Sequence, residues 1–211
     1  MIDSYDYYNV VFPKLIKGKI IDYGFGSMRL CDLNVGPAFG AQYIGIDTEL
    51  EAVNQASELY PFAKFYHHDL TEKKLPDIAS NADTVISYDA LLHLDIDTFF
   101  TVIRYLYDRT EMGGFLVLNF LDAADQTTIN HYKETLEKTY GFCDPIGTTR
   151  WQYVIENRLS YETIPGKQHL LFINSDYLTK TLDYSRIKII PAYQKIPDRY
   201  HSYMFIEKLP H

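Results

Sequence analysis

The chain has 211 residues, a net charge of -8 at pH 7 and lysines and arginines that are scattered rather than clustered. This length suits one well-buried domain, and the charge lacks the basic patch that a nucleic-acid-binding protein uses. No apolar run reaches the ~20 residues of a membrane span, and two distant cysteines suit a reducing compartment. We therefore expect a cytoplasmic protein with no nucleic-acid or membrane partner.

The first 120 residues alternate short apolar runs with segments of helical spacing. A first strand at Ile20 and Ile21 enters a turn that contains Gly24 and Gly26 and then a helix-like segment. Further strands are predicted over 41–46, 62–66, 83–89 and 115–120, and helices over 50–60 and 96–109. Five such alternations predict an α/β fold in which an open, mostly parallel, doubly wound sheet is covered by helices on both faces.

The pattern is less regular outside this region. Residues 1–18 predict a helical flap, and residues 122–173 predict an insertion that caps the working edge of the sheet. Ser175 is predicted to cap a helix, and the segments 186–190 and 202–207 predict a terminal strand pair. The result is a single domain over 1–211 whose sheet has about seven strands, including an antiparallel terminal hairpin strand.

Five polar or glycine positions follow the predicted strands. In open parallel sheets, ligands bind beyond the carboxyl ends of the strands, where the strand order reverses. The turns that carry Gly24, Gly26, Asp47, Asp69 and Asp89 would meet there. The sequence therefore predicts one ligand crevice formed by several turns.

The character of this crevice limits the ligand. A dinucleotide-binding turn of the form G-x-G-x-x-G would need glycine at position 29, where the chain has Arg29. Three acids around the crevice repel a pyrophosphate and suit a cationic nucleoside without phosphate. These residues favour a positively charged nucleoside ligand.

The first two turns resemble those of class I S-adenosylmethionine-dependent methyltransferases. In that family the first strand enters a D/E-x-G-x-G-x-G turn, which is matched by Asp22, Gly24 and Gly26, whereas Met28 replaces the third glycine. The second strand of the family ends in an acid for the ribose hydroxyls, matched by Asp47. The resemblance implies a Rossmann-like sheet with S-adenosylmethionine as cofactor.

The next two turns extend the resemblance over residues 20–121. The family's adenine-binding acid after the third strand is matched by Asp69, and its double glycine before the fifth strand is matched by Gly113-Gly114. The family's segment S-x-[D/E]-x-L-x-H-[L/V] after the fourth strand is matched by Ser87, Asp89, Leu91, His93 and Leu94. Ser87 and Asp89 are thereby implied to contact the cofactor.

Each candidate residue also has a structural interpretation. Asp22 binds the cofactor ammonium or only fixes the turn; Asp47 binds the ribose or caps a helix; Asp69 binds adenine or caps a loop. His93 lies four residues after Asp89, so on a helix the two would share a face, as a catalytic base with its partner or as a structural pair. His93 is the candidate catalytic residue.

The resemblance implies an enzyme that transfers a methyl group from S-adenosylmethionine to an oxygen or nitrogen atom. The acidic composition, and the aromatic insertion at 122–173 where this family often places an acceptor cap, predict a small-molecule or sugar-like acceptor. Two alternatives stay open: a degenerate S-adenosylmethionine-binding or scaffold protein of the same fold, and an NAD-dependent oxidoreductase. His67 and His68 beside Asp69 lack a third ligand, so we predict no metal. The sequence does not indicate which acceptor molecule or which of its atoms is methylated, nor the oligomeric state.

Overall fold

The structure, a computed structural model, describes residues 18–26, 42–69, 72, 81–94, 96–125, 127–130, 160–161, 170–182, 186–190 and 202–209. Its helices are α1 (Leu50–Leu59), α2 (Ile96–Asp108) and α3 (Ser175–Leu182), and a 3₁₀ turn spans Leu91–His93. Its strands are β1 (Lys19–Tyr23), β2 (Gln42–Asp47), β3 (Lys64–His67), β4 (Ala82–Ser87), β5 (Thr110–Asp122), β6 (Ser160–Tyr161), β7 (Leu170–Ile173), β8 (Arg186–Ile190) and β9 (Ser202–Glu207).

The nine strands of the described residues form one sheet. Strands β3, β2, β1, β4 and β5 lie side by side in that order and run parallel. Strand β9 pairs antiparallel with β5, and β8 pairs antiparallel with β9. The strand order reverses between β1 and β4, so the predicted open, doubly wound sheet with an antiparallel terminal hairpin is confirmed.

Helices cover both faces of this sheet. The main core contains apolar side chains of β1, β2, β4, β5 and β9 packed against α2 and α3, with Ile21, Ile103 and Leu178 fully buried. On the opposite face, Val53 and Ala56 of α1 pack against Phe25 and Phe65. Because the central strands are buried on both faces, they are nearly continuous apolar runs.

Strand β5 differs from its prediction. The double glycine was expected to be a turn before a strand at 115–120, but β5 already begins at Thr110. The register shifts instead, since Ala82 pairs with Thr110 whereas Thr84 pairs with Phe115. Gly113 has a φ of 78°, which glycine adopts without the steric cost of a side chain. The double glycine is therefore a bulge inside the strand.

The described part of the 122–173 insertion extends the sheet. Strands β6 and β7 form an antiparallel hairpin, and β7 pairs with β5 at Leu121 and Asp122, beyond the part of β5 that pairs with β9. The hairpin therefore lies at the carboxyl end of β5. Residues 1–17 of the predicted flap at 1–18, Met28, and residues 131–159 of the predicted cap lie outside the described residues.

The predicted cap of α3 is wrong by one residue. The Asn174 side-chain oxygen accepts hydrogen bonds from the backbone amides of Asp176, at 2.9 Å, and Tyr177, at 3.3 Å. These are the amides that an N-cap side chain satisfies. Asn174 is thus the N-cap and Ser175 is the first helical residue.

Candidate functional site

The carboxyl edge of the sheet, where β1, β2 and β4 end at Tyr23, Asp47 and Ser87, brings the predicted site together. Strands β1 and β2 are neighbours, with Tyr23 opposite Ile46, and β1 and β4 are neighbours, with Tyr23 opposite Ser87. The glycine turn and the turn that carries Asp89 follow these strand ends directly. The predicted convergence of the turns is therefore present in the fold.

Asp22 is the most unusual carboxylate at this edge. Its side chain is only 2% exposed, and its Oδ2 accepts a hydrogen bond of 2.6 Å from the Tyr43 hydroxyl. Its Oδ1 is buried and has no hydrogen-bond partner. The pKa of Asp22 is raised to about 7: burial is the main cause, the hydrogen bond from Tyr43 opposes it, and the nearby Asp47 charge adds a smaller increase. A buried, unpaired carboxylate oxygen is costly unless a ligand group completes it.

Asp47 organises the backbone at the end of β2. Its Oδ2 accepts a hydrogen bond of 2.8 Å from the Gly26 amide, and its Oδ1 accepts one of 2.9 Å from the Glu49 amide just before α1. The carboxylate therefore holds the glycine turn and the start of α1 at once. A carboxylate offers about four acceptor positions, so two stay available for ligand hydroxyls.

The glycine turn packs closely on the segment after β4. Gly24 has a φ of 72°, and its amide donates a hydrogen bond of 2.7 Å to the Ile46 carbonyl. A Cβ added at Gly24 would lie 2.3 Å from the Cβ of Ala90. The turn thus needs glycine here both for its backbone conformation and for the space beside Ala90.

Asp69 and the two histidines follow β3. Asp69 is exposed, as a residue that contacts a ligand from the rim of a crevice would be. The backbone amide of His68 donates to the Asp47 carbonyl at 2.8 Å, which keeps this turn beside the end of β2. The Nε2 atom of His68 is buried without a hydrogen-bond partner. Among the described residues, Asp22 Oδ1 and His68 Nε2 are the buried side-chain atoms that lack one.

The segment after β4 departs from the helical expectation. The Ser87 hydroxyl donates to the Tyr23 carbonyl at 3.1 Å, so it fastens β4 to β1. Asp89 has a φ of 56°, in the left-handed region that non-glycine residues rarely adopt, and it precedes the 3₁₀ turn that contains His93. The premise that Asp89 and His93 share a helix face is therefore wrong, because Asp89 is not helical.

Three residues of this region were not predicted from the sequence. Tyr43 holds Asp22. Asn119 of β5 accepts a bond of 2.8 Å from the Asp89 amide and donates one to the Asp89 carboxylate, and Tyr203 of β9 touches the Tyr88 hydroxyl. Asn119 interrupts the apolar run 115–121 within β5, which is the signal that sequence inspection could have used.

Charge is distributed unevenly between the two edges of the sheet. Among the residues whose side chains the structure describes, the lysines and arginines lie away from the carboxyl ends of β1, β2 and β4. Lys19 and Lys64 begin β1 and β3, Arg104 is in the second half of α2, Arg109 follows α2, Lys180 is in the last turn of α3, and Lys208 follows β9. The carboxyl edge carries Asp22, Asp47, Asp69 and Asp89. The four described carboxylates attract positive charge to this edge.

The described residues contain neither a cluster of metal ligands nor a helix that could span a membrane. In the part of the chain that the structure describes, no three histidine, cysteine or acidic side chains lie close enough to hold a metal ion. No helix of that part is both long and apolar enough to cross a membrane.

Comparison with known proteins supports the resemblance. The family described as "Methyltransferase domain" matches residues 21–118, which include all the predicted site residues. A methyltransferase from Clostridium acetobutylicum that depends on S-adenosylmethionine is 11% identical with a TM-score of 0.61, over 95% of this chain and 87% of the other. The Synechocystis magnesium protoporphyrin IX methyltransferase, solved with bound S-adenosylhomocysteine, is 16% identical with a TM-score of 0.58, over 95% and 78%.

Other similarities are less specific. A Rhodobacter sphaeroides protein, provisionally named a zinc-dependent alcohol dehydrogenase, is 12% identical with a TM-score of 0.60, over 97% of this chain and 90% of the other. The chain spans 47% and 55% of the length of two longer proteins that it matches. Curated protein sequences gave no match. Such low identities establish only the fold. The match to a methyltransferase domain covers 98 of the 211 residues, and it agrees with the resemblance of this part of the chain to the class I S-adenosylmethionine-dependent methyltransferases.

Proposed function

We propose that the protein transfers the methyl group of S-adenosylmethionine to an oxygen or nitrogen atom of a small-molecule or sugar-like acceptor. The observation that carries this proposal is the unpaired Oδ1 of Asp22 at the carboxyl edge. A buried carboxylate oxygen without a donor fits the ammonium group of the cofactor, which supplies both hydrogen bonds and a compensating charge.

The other predicted residues provide one partner for each part of the cofactor. Asp47 has acceptor positions left for the ribose hydroxyls and keeps the Gly26 amide beside them. Asp69, exposed after β3, accepts from the adenine amino group, and the unpaired Nε2 of His68 lies in the adjacent residue. The four acids also favour the positive sulfonium.

The contribution of the protein to the chemistry is orientation and proton removal. When bound, S-adenosylmethionine supplies a methyl group that is already activated for direct displacement. Asp22, Asp47 and the glycine turn fix the donor, so that an acceptor beyond the ends of β4 and β5 meets the methyl group in line. An amine acceptor needs no base, whereas for a hydroxyl acceptor we assign proton removal to His93.

The electrostatics of the edge favour an acceptor without negative charge. The described cations lie away from the carboxyl edge, while Asp89 lies beside its acceptor half. An anionic acceptor would meet repulsion from these carboxylates. The half-buried ring of Tyr88 offers apolar area for a small, neutral or cationic acceptor.

Thermal unfolding with three ligands tests the cofactor. S-adenosylhomocysteine at 100 times its Kd is expected to stabilise the folded state by about 2.7 kcal/mol, which raises the Tm by roughly 5–10 °C for a domain of this size. S-adenosylmethionine should act similarly and NAD should have no effect. A shift with NAD alone would replace the proposal with an oxidoreductase.

Turnover separates an enzyme from a protein that only binds the cofactor. Incubation with methyl-labelled S-adenosylmethionine and a panel of small alcohols, phenols, sugars and amines should label at least one acceptor. Cofactor binding with no labelling across the panel would favour the degenerate alternative.

A further inference from the structure

Two side-chain pairs fasten the segment after β4 to the middle of the sheet. The hydroxyl groups of Tyr88 and Tyr203 are in contact, and their rings stack with centroids 5.8 Å apart and planes 30° apart. Asp89 and Asn119 form the second pair through two reciprocal hydrogen bonds. We name these four residues the 88–89 clamp.

The two anchors of the clamp are a single rigid unit. Asn119 of β5 and Tyr203 of β9 lie directly opposite each other in the antiparallel register. Both are buried, with 1% and 4% of their surface exposed. Because buried side chains between paired strands have little freedom to move, they present fixed partners to Tyr88 and Asp89.

Asn119 compensates for an unfavourable backbone conformation. Asp89 has the only positive φ of a non-glycine residue among the described residues. Asn119 uses both ends of its amide for this residue, since Oδ1 accepts from the Asp89 amide and Nδ2 donates to the Asp89 carboxylate. Sparsely populated backbone conformations of this kind persist where surrounding contacts hold them.

The backbone conformation of Asp89 affects the glycine turn through the next residue, Ala90. Ala90 follows Asp89 and occupies the space where Gly24 has no side chain, as the 2.3 Å approach of an added Cβ shows. A rotation of the backbone at Asp89 would move Ala90 toward or away from this turn. The clamp therefore sets the separation between the segment after β4 and the turn after β1.

We infer that Asn119 is a positioning residue for the cofactor, acting through Asp89 and Ala90 on the glycine turn. This inference rests on the proposed function and adds to it a residue outside the matched methyltransferase region. The clamp joins the β4 and β5 side of the crevice, where the acceptor would bind, to the β1 side, where the cofactor would bind.

Exchanging the two partners tests the inference. Asn119→Asp places two carboxylates against each other and removes the amide donor. The affinity for S-adenosylhomocysteine is therefore expected to fall about tenfold or more, which is the typical effect of losing a hydrogen bond to a charged group. Adding Asp89→Asn restores a donor and an acceptor with the roles exchanged, and asparagine tolerates positive φ. The reference is Asp89→Asn alone, which removes the charge of Asp89 but keeps an oxygen that accepts from Asn119. The double variant should bind within about threefold of this reference and more tightly than Asn119→Asp.

The matched control is Thr110→Val, which removes a buried hydrogen bond of 3.0 Å to the Leu106 carbonyl at the amino edge. Titration calorimetry well below the Tm should show unchanged affinity for this variant. Wild-type affinity in Asn119→Asp, or no recovery in the double variant, would overturn the inference. If Asn119→Asp does not fold, Asn119→Ala with and without Asp89→Gly replaces it, since glycine adopts the required φ unaided.

A second measurement separates this inference from the proposed function. If the wild type does not bind S-adenosylhomocysteine, the proposed function fails. The packing of Ala90 on the glycine turn can still be tested, by measuring the rate of amide hydrogen exchange at residues 23–26. The clamp then predicts faster exchange in Asn119→Asp and a return toward the wild-type rate in the double variant. Equal rates in all three proteins would refute it.

Discussion

Asp22→Asn is expected to make the protein more stable at pH 8 and, at the same time, to weaken cofactor binding severely. The side chain is buried with an unpaired oxygen, and burial raises its pKa from 3.8 to about 7. This difference of about 3 units corresponds to up to about 4 kcal/mol of unfolding free energy. An asparagine still accepts the Tyr43 hydrogen bond but carries no charge to bury.

The raised pKa of Asp22 determines how the stability of the protein changes with pH. Between about pH 4 and pH 7 the folded protein holds a proton on Asp22 that the unfolded chain has lost. The contribution of Asp22 to stability is therefore fully present below about pH 4, declines as the pH rises and levels off above about pH 7. Urea unfolding at pH 5 and pH 8 should show this decline in the wild type and a smaller one in Asp22→Asn.

The control for Asp22 is Asp122→Asn. Burial also raises the pKa of Asp122, but its Oδ1 already accepts hydrogen bonds from the amides of Ala124, at 2.8 Å, and Ser175, at 3.1 Å. This variant should keep its affinity for S-adenosylhomocysteine. If Asp22→Asn kept it too, Asp22 would be a structural residue of the turn and the ammonium assignment would be incorrect.

Gly24→Ala is expected to cost several kcal/mol of stability and to abolish cofactor binding. The left-handed backbone costs an alanine about 1–2 kcal/mol, and the overlap with Ala90 adds about 1–3 kcal/mol of overpacking. Relief requires the turn to move away from the segment after β4. The measurements are the urea unfolding free energy and calorimetric titration with S-adenosylhomocysteine.

Gly113→Ala separates the cost of the left-handed backbone from the cost of the overlap with Ala90. Its φ of 78° is close to the 72° of Gly24, but a Cβ there would meet nothing within 4 Å. It should lose only the backbone contribution and keep cofactor affinity. Combining Gly24→Ala with Ala90→Gly should recover part of the loss, and an equal cost at Gly24 and Gly113 would rule out the close packing of the turn on Ala90.

The sheet could be predicted because each of its strands is recognisable from its own short stretch of sequence. Buried strands such as β1 are short apolar runs, and the segments 186–190 and 202–207 were located with the bounds that the structure shows. The positions of Asp22, Asp47 and Asp89 at or just after the ends of β1, β2 and β4 predicted that they lie along one edge, because parallel strands bring their carboxyl ends together. Which residues follow which strand is a property of the sequence order alone.

The clamp was not predictable because its partners are distant in the chain. Asn119 lies 30 residues from Asp89, and Tyr203 lies 115 residues from Tyr88. Their meeting depends on β9 entering beside β5, which no local pattern specifies. The left-handed conformation of Asp89 was missed for the same reason: the residue type alone does not require positive φ, and the hydrogen bonds with Asn119 that accompany it join residues far apart in the chain.

Proton release on cofactor binding tests the central claim most directly. Titration calorimetry of the wild type with S-adenosylhomocysteine at pH 6, in two buffers of different ionisation enthalpy, measures affinity and protons together. With a pKa of about 7, Asp22 is mostly protonated in the free protein at pH 6 and should ionise to pair with the ammonium. We predict binding with release of nearly one proton; no binding, or binding without proton release, would contradict the account.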